Sequence, residues 1–269
     1  MLSKAQVISL DTAEEATGNA GSQNVFLFDL NSIVTGTFGQ MDHDFAAYLR
    51  SFALLKPCYL IASVSYNELM SRVPSSVRRS FRGIFVSSGA ELWSGDEIVE
   101  RYEHCFSDDL YEYLVKVVQN SAYPVKIAPV IENGPATLRV CLAGTKATIG
   151  QLNAYLEWEK EHSELPLILG ELKSKFPDHT VCQDSETSLL ISPEAFTTAL
   201  IYRQIIAENE GARLIGYLSE RSANSFARPL CESLSSFDQM TEVGGPSDLS
   251  QLIRYEIRRE KACKLMAAE

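Results

Sequence analysis

Asp29 ends an apolar run, Val25-Phe26-Leu27-Phe28, within the segment NVFLFDLNSIVTG. A buried strand that delivers a carboxylate to the edge of a sheet makes a nucleophile for phosphorus, and the segment begins like the front end of a phosphoryl-transfer enzyme. That chemistry also needs a second acid, to protonate the leaving group and then activate the acceptor. Two residues on stands Asn31, whose amide does not titrate in the useful range. Asp29 therefore has two readings. One is a nucleophile or residual cation ligand; the other, more ordinary, is an acid capping backbone N–H groups of the turn that follows.

Other chemistries are poorly supplied. The four histidines (His43, His104, His162, His179) have no ligand-like spacing, so a metal site built on histidine is not expected. The six cysteines (Cys58, Cys105, Cys141, Cys182, Cys231, Cys263) include no CxxC pair and read as free thiols of a cytoplasmic protein. With 24 basic against 35 acidic residues and a net charge of -11, a nucleic-acid or anionic-membrane partner is not expected. No apolar run approaches the roughly 20 residues of a membrane span. Residues 1–23 read as a polar, partly disordered leader without the apolar stretch of a signal peptide.

The elements that must position Asp29 show as strand–helix alternation, which points to a parallel sheet with crossover helices. After the strand ending at Asp29, a helix is expected over 42–55, a strand in CYLIASVS (58–65), and a helix in YNELMSRVP that Pro74 closes. GIFVSSGAELWSGDEI reads as β-rich, with LWSGDEI shaped like a hairpin tip. The middle of the chain differs. DDLYEYLVKVVQNS spaces Leu110, Tyr113, Leu114, Val117 and Val118 on one helix face, and two β-rich runs then flank an Asn-Gly-Pro turn. IGQLNAYLEWEKEHSELPLILGELKSKF is helical with an irregular point at Pro166, and HTVCQDSETSLLISP returns to strand. From Ala199 the first pattern resumes: a helix ending at Gly211, the strand ARLIGYL, a short helix in SFARPLCESL, and a C-terminal helix with Asp248 near its start.

A series of partial motifs follows the same order. They are Asp29-Leu30-Asn31-Ser32-Ile33-Val34-Thr35, Ser63-Val64-Ser65, SSGAELWSGDEI, AYPVKIAPVIE (with Tyr123, Pro124, Lys126 and Glu132), PEAFTT (193–198), GYLSERSANS (216–225) and Gly245-Pro246-Ser247-Asp248. Together they resemble the eukaryotic-type phosphomannomutases, a branch of the haloacid dehalogenase (HAD)-like superfamily, although no single motif is intact. The resemblance implies an α/β fold: a HAD-like Rossmannoid core with a parallel sheet over 24–106 and 193–269, and an inserted α+β cap over 107–192.

It also implies roles. Asp29 takes the nucleophile position, Asn31 that of the acid/base, Ser65 (or Ser63) that of the phosphate-binding hydroxyl, and Thr198 that of a lysine. Tyr217 and Ser225 stand where acids help hold Mg²⁺, with Glu220 a weak substitute. The cap arginines are matched by Ile127, Gly134 and Thr145. Arg139 falls on a family Asn and is expected in a surface ion pair, or on some anion. With so many charged groups missing together, Asp29, Asn31, Ser65 and Thr198 are expected as vestigial catalytic positions, and Asp29, Tyr217 and Ser225 as degenerate metal positions. No cofactor is expected. The leading expectation is a pseudoenzyme, not an enzyme: a protein-binding scaffold subunit of a larger assembly. Its contact surfaces would include the polar leader and the basic C-terminal helix (Arg254, Arg258, Arg259, Lys261, Lys264), and a homodimer is left open. The alternatives are a weak Mg²⁺-dependent sugar-phosphate phosphatase or phosphomutase using Asp29, and a non-catalytic sugar-phosphate sensor.

Overall fold

The computed structural model describes residues 24–35 and 39–266, the side chains of 260–266 excepted. The expected leader and the side chains of Lys261, Cys263 and Lys264 lie outside that description. In chain order the strands are β1 (Asn24–Asp29), β2 (Cys58–Ile61), β3 (Gly83–Val86), β4 (Glu91–Ser94), β5 (Glu97–Arg101), β6 (Ile131–Asn133), β7 (Leu138–Cys141), β8 (His179–Ser185), β9 (Ser188–Pro193), β10 (Arg213–Leu218) and β11 (Gln239–Glu242). The helices are α1 (Leu30–Ile33), α2 (His43–Ala53), α3 (Tyr66–Arg72), α4 (Ser75–Arg78), α5 (Asp108–Asn120), α6 (Ile149–His162), α7 (Glu164–Lys175), α8 (Ala199–Glu208), α9 (Glu220–Ala223), α10 (Arg228–Glu232) and α11 (Pro246–Met266).

The strands form two sheets. The larger runs β11-β10-β1-β2-β3-β4-β5, parallel from β11 to β3 and antiparallel through β4 and β5. The smaller, β6-β7-β9-β8, is antiparallel throughout. The four inner residues of β1, Val25 to Phe28, are all apolar because both faces of the strand are covered. Phe26 and Phe28 join the α2 side of the core with Phe45, Leu49 and Phe52, while Val25 and Leu27 meet Ile201 and Ile205 of α8. On the smaller sheet α5, α6 and α7 bury Leu110, Leu114, Leu152, Tyr155 and Leu172 against Val140, Val181 and Ile191.

Several elements depart from the sequence reading for local reasons. The strand expected over 58–65 stops at Ile61, because Ser65 already caps α3 by accepting the Glu68 N–H. The irregular point in the long helix falls at Ser163, which adopts φ 50°, and not at Pro166. Pro166 sits in the first turn of α7, where its missing N–H costs nothing. The run over 179–193 is two strands of a hairpin, and the short β11 completes the parallel edge. Among the described residues no helix is long and apolar enough to cross a membrane.

Candidate functional site

β1 carries Asp29 to the C-terminal edge of the larger sheet, and the chain turns at once into α1. Asp29 is the N-cap of that helix, its Oδ1 accepting the Ser32 N–H at 3.0 Å. In the neighbouring β10, Tyr217 pairs with Phe28, so the residues beyond Leu218 leave the sheet beside Asp29. Ser219 donates its N–H to Oδ1 and its hydroxyl to Oδ2, both at 2.9 Å, and Ser222 donates its hydroxyl to Oδ2 at 2.5 Å. Four donors therefore saturate a carboxylate that is 0% exposed. Asn31 reaches the same cluster through its Nδ2, 3.2 Å from Ser222 Oγ.

The other matched positions have local tasks. Tyr217 is buried in the core, stacked on Phe28, and the Ser225 hydroxyl bonds the Arg221 carbonyl. Ser219 and Ser222, not Tyr217 and Ser225, thus meet Asp29. The signal for them was the end of the ARLIGYL strand: the first residue past it, Ser219, is the one that leaves the sheet edge. Thr198 is buried and donates to the Phe226 carbonyl at 2.7 Å. Ser65 is a helix cap, and Glu220 is exposed on α9.

Beyond Asn31 a cleft of about 320 Å³ opens between the two sheets. Ser63, Ser65, Glu68 and Arg72 line it from the core, and Glu132, Arg139, Lys146 and Asp184 from the cap, with Arg221 also at its wall. Arg139 is not the surface ion pair expected of it. Its side chain, 14% exposed, lies 3.0 Å from Asp184 and 3.6 Å from Glu132. It also crosses to the core, donating to the Ser63 carbonyl at 2.9 Å. Burial works against its charge, but Asp184, Glu68 and Glu132 outweigh that and hold Arg139 above the usual guanidinium value. Glu68 moves upward too: burial favours its neutral form more than Arg139 and Arg72 favour the charged one.

Mg²⁺, which the family resemblance implies, wants near-octahedral oxygen ligands with free carboxylates among them. At Asp29 the donor set is one carboxylate with both oxygens already hydrogen-bonded, two hydroxyls and an amide. Among the described residues no group of three or more His, Cys, Asp or Glu side chains is placed to hold a metal ion. That donor set, as arranged, does not fit the ion.

A parallel sheet whose central strand ends in Asp, with an inserted antiparallel sheet facing that edge, defines the HAD-like fold, and this chain has it. No protein-family model and no curated protein matches the sequence. Similar solved structures include a Streptococcus mutans protein at 9% identity and TM-score 0.60, covering 88% of this chain and 100% of that one. A haloacid dehalogenase-like hydrolase from Bacteroides thetaiotaomicron is similar at 12% identity and TM-score 0.53, over 87% of this chain and 99% of that one. An IMP-bound IMP-nucleotidase from Plasmodium falciparum is similar at 9% identity and TM-score 0.57, over 87% of this chain and 68% of that one.

At this identity the likeness is one of fold, and it corrects two expectations drawn from missing motif residues. One was that the chain is not an enzyme; the other was that it takes no cofactor. Proteins named as a nucleotidase and a hydrolase share the architecture over nearly all of the described chain, so neither absence is carried forward.

Proposed function

We propose that this chain acts slowly on a small phosphate ester bound in the cleft, with Asp29 as the nucleophile. The observation that carries the reading is the cleft itself. Its volume of about 320 Å³ suits a small ligand, and it is bordered by Asn31 and Arg221, which adjoin the turns holding Asp29. Arg221 and Lys146 supply positive charge for the phosphoryl oxygens.

In the reaction a carboxylate oxygen of Asp29 attacks phosphorus, and the ester oxygen leaves as an alcohol after taking a proton. Water then splits the aspartyl phosphate and releases inorganic phosphate. Asn31 cannot give the proton. Glu68 lines the cleft and keeps its proton to higher pH than an ordinary glutamate, so it is the acid best suited to do so. For Asp29 to attack, Ser219 and Ser222 must turn their hydroxyl hydrogens from its oxygens toward the phosphoryl group. That requirement accounts for a slow reaction.

The test is phosphate release, and hexose-phosphate isomer conversion, from a panel of phosphate esters, with and without Mg²⁺. Wild type is expected to turn over slowly and Asp29→Asn not at all. Asn31→Asp, which restores a titratable group, is expected to raise the rate about a hundredfold. No turnover by wild type on any ester, or equal turnover by Asp29→Asn, would overturn the proposal.

A further inference from the structure

The cleft has two ends of different character. Arg221, Ser185 and Thr187 are shared with one neighbouring hollow, whereas Glu132, Arg139 and Ser63 are shared with a narrow recess elsewhere. Arg221 adjoins Ser222, which donates to Asp29, so the reading above sets the phosphate beside Arg221. The other end holds acids in excess. Glu132 and Asp184 both lean on the one Arg139 guanidinium, whereas Glu68 has Arg72 as a partner of its own.

Asp184 is the incomplete member of this group. Its side chain is 6% exposed, and Arg139 Nε donates to its Oδ2 at 3.0 Å. Its Oδ1 is buried and has no hydrogen-bond partner within the protein. Leaving a buried acceptor unmet is costly, more so when it is charged, and the cost disappears if a ligand brings the donor. We propose that the donor is an ammonium group, so that the cleft selects phosphate esters carrying a cationic amine at the end remote from the phosphate. An ammonium brings N–H donors together with the positive charge this end lacks; a hydroxyl brings one donor and no charge. The carboxylate torsion is soft, so Oδ1 can turn toward the ligand while Arg139 keeps its bond. The inference rests on the phosphate-ester reading above.

Three esters of matched length separate the possibilities by calorimetric titration of the full chain: 3-aminopropyl, 3-hydroxypropyl and n-butyl phosphate. The amino ester is expected to bind at least about tenfold more tightly than either of the others, the size of one charge-assisted hydrogen bond. Asp184→Asn keeps the shape and an oxygen for Arg139, and is expected to reduce that preference to near unity. If this variant fails to fold, Glu132→Gln removes charge from the same end and is expected to weaken the preference. Equal binding of the three esters, or preference for the hydroxyl ester, would overturn the inference and leave the phosphate reading intact. So would a preference that neither variant changes. If none of the three binds, both readings fall together.

Discussion

Asp29, buried behind Asn31 of the cleft wall, accepts four hydrogen bonds, whereas Asp184, in the cap part of that wall, leaves one oxygen without a donor. The first carboxylate is met by hydroxyls and N–H groups from the turns after two adjacent strands, β1 and β10. The second shares one guanidinium with Glu132, and the two carboxylates come from different strands of the smaller sheet. A neutral, saturated shell rests without a ligand. An over-acidic, half-satisfied group carries a standing cost that a cationic partner removes. The two regions therefore divide their work: one is pre-formed and must be opened for reaction, and the other is unfinished and completed by binding.

Substitutions can break or sharpen that contrast. The largest effect is expected from Arg139→Leu, which leaves Asp184 and Glu132 without their cation and unties the cap from the Ser63 carbonyl. Chemical denaturation should show a loss of about 3–5 kcal/mol; a loss under about 1 kcal/mol would mean the acids are not held by this residue. Next comes Asp29→Ala, which removes the α1 cap and strands four donors, with an expected loss of about 2–3 kcal/mol by the same measurement. Replacing Ser219 and Ser222 together by Ala should cost less, about 1–2 kcal/mol, because two N–H donors still reach Asp29. If the double variant proved as damaging as Asp29→Ala, the hydroxyls and not the N–H groups would hold the carboxylate.

The smallest effect concerns pH. Glu68 has a raised value in the folded protein, chiefly through burial. The folded state thus binds its proton more tightly than the unfolded chain does. Its contribution to stability is full below the ordinary glutamate range and is lost as pH rises through the raised value. The stability difference between wild type and Glu68→Gln should accordingly shift against wild type over that window, and a flat difference would show that burial does not govern this group.

Much of the fold was legible because its signals are local. The apolar run of β1 and the helix faces read directly from periodicity, as did the Asn-Gly-Pro turn, whereas the break at Ser163 did not, since a proline three residues later gave the stronger but misleading cue. The register error at the second loop has a similar origin. Motif matching placed Tyr217 and Ser225 near Asp29, but strand pairing puts Tyr217 beside Phe28 and hands the position to Ser219 and Ser222.

The sequence by itself determined that an aspartate would end a buried strand, because the four residues before it, Val25 to Phe28, are all apolar. It also determined that Asn31 could not act as an acid, since that is a property of the side chain alone. Tertiary structure decided what each charge meets. Ser222 reaches Asp29 across 193 residues, and Arg139 meets Asp184 across 45 and Ser63 across 76. Sheet order brings these groups together, and the energy of a buried charge depends on those neighbours and not on its place in the chain.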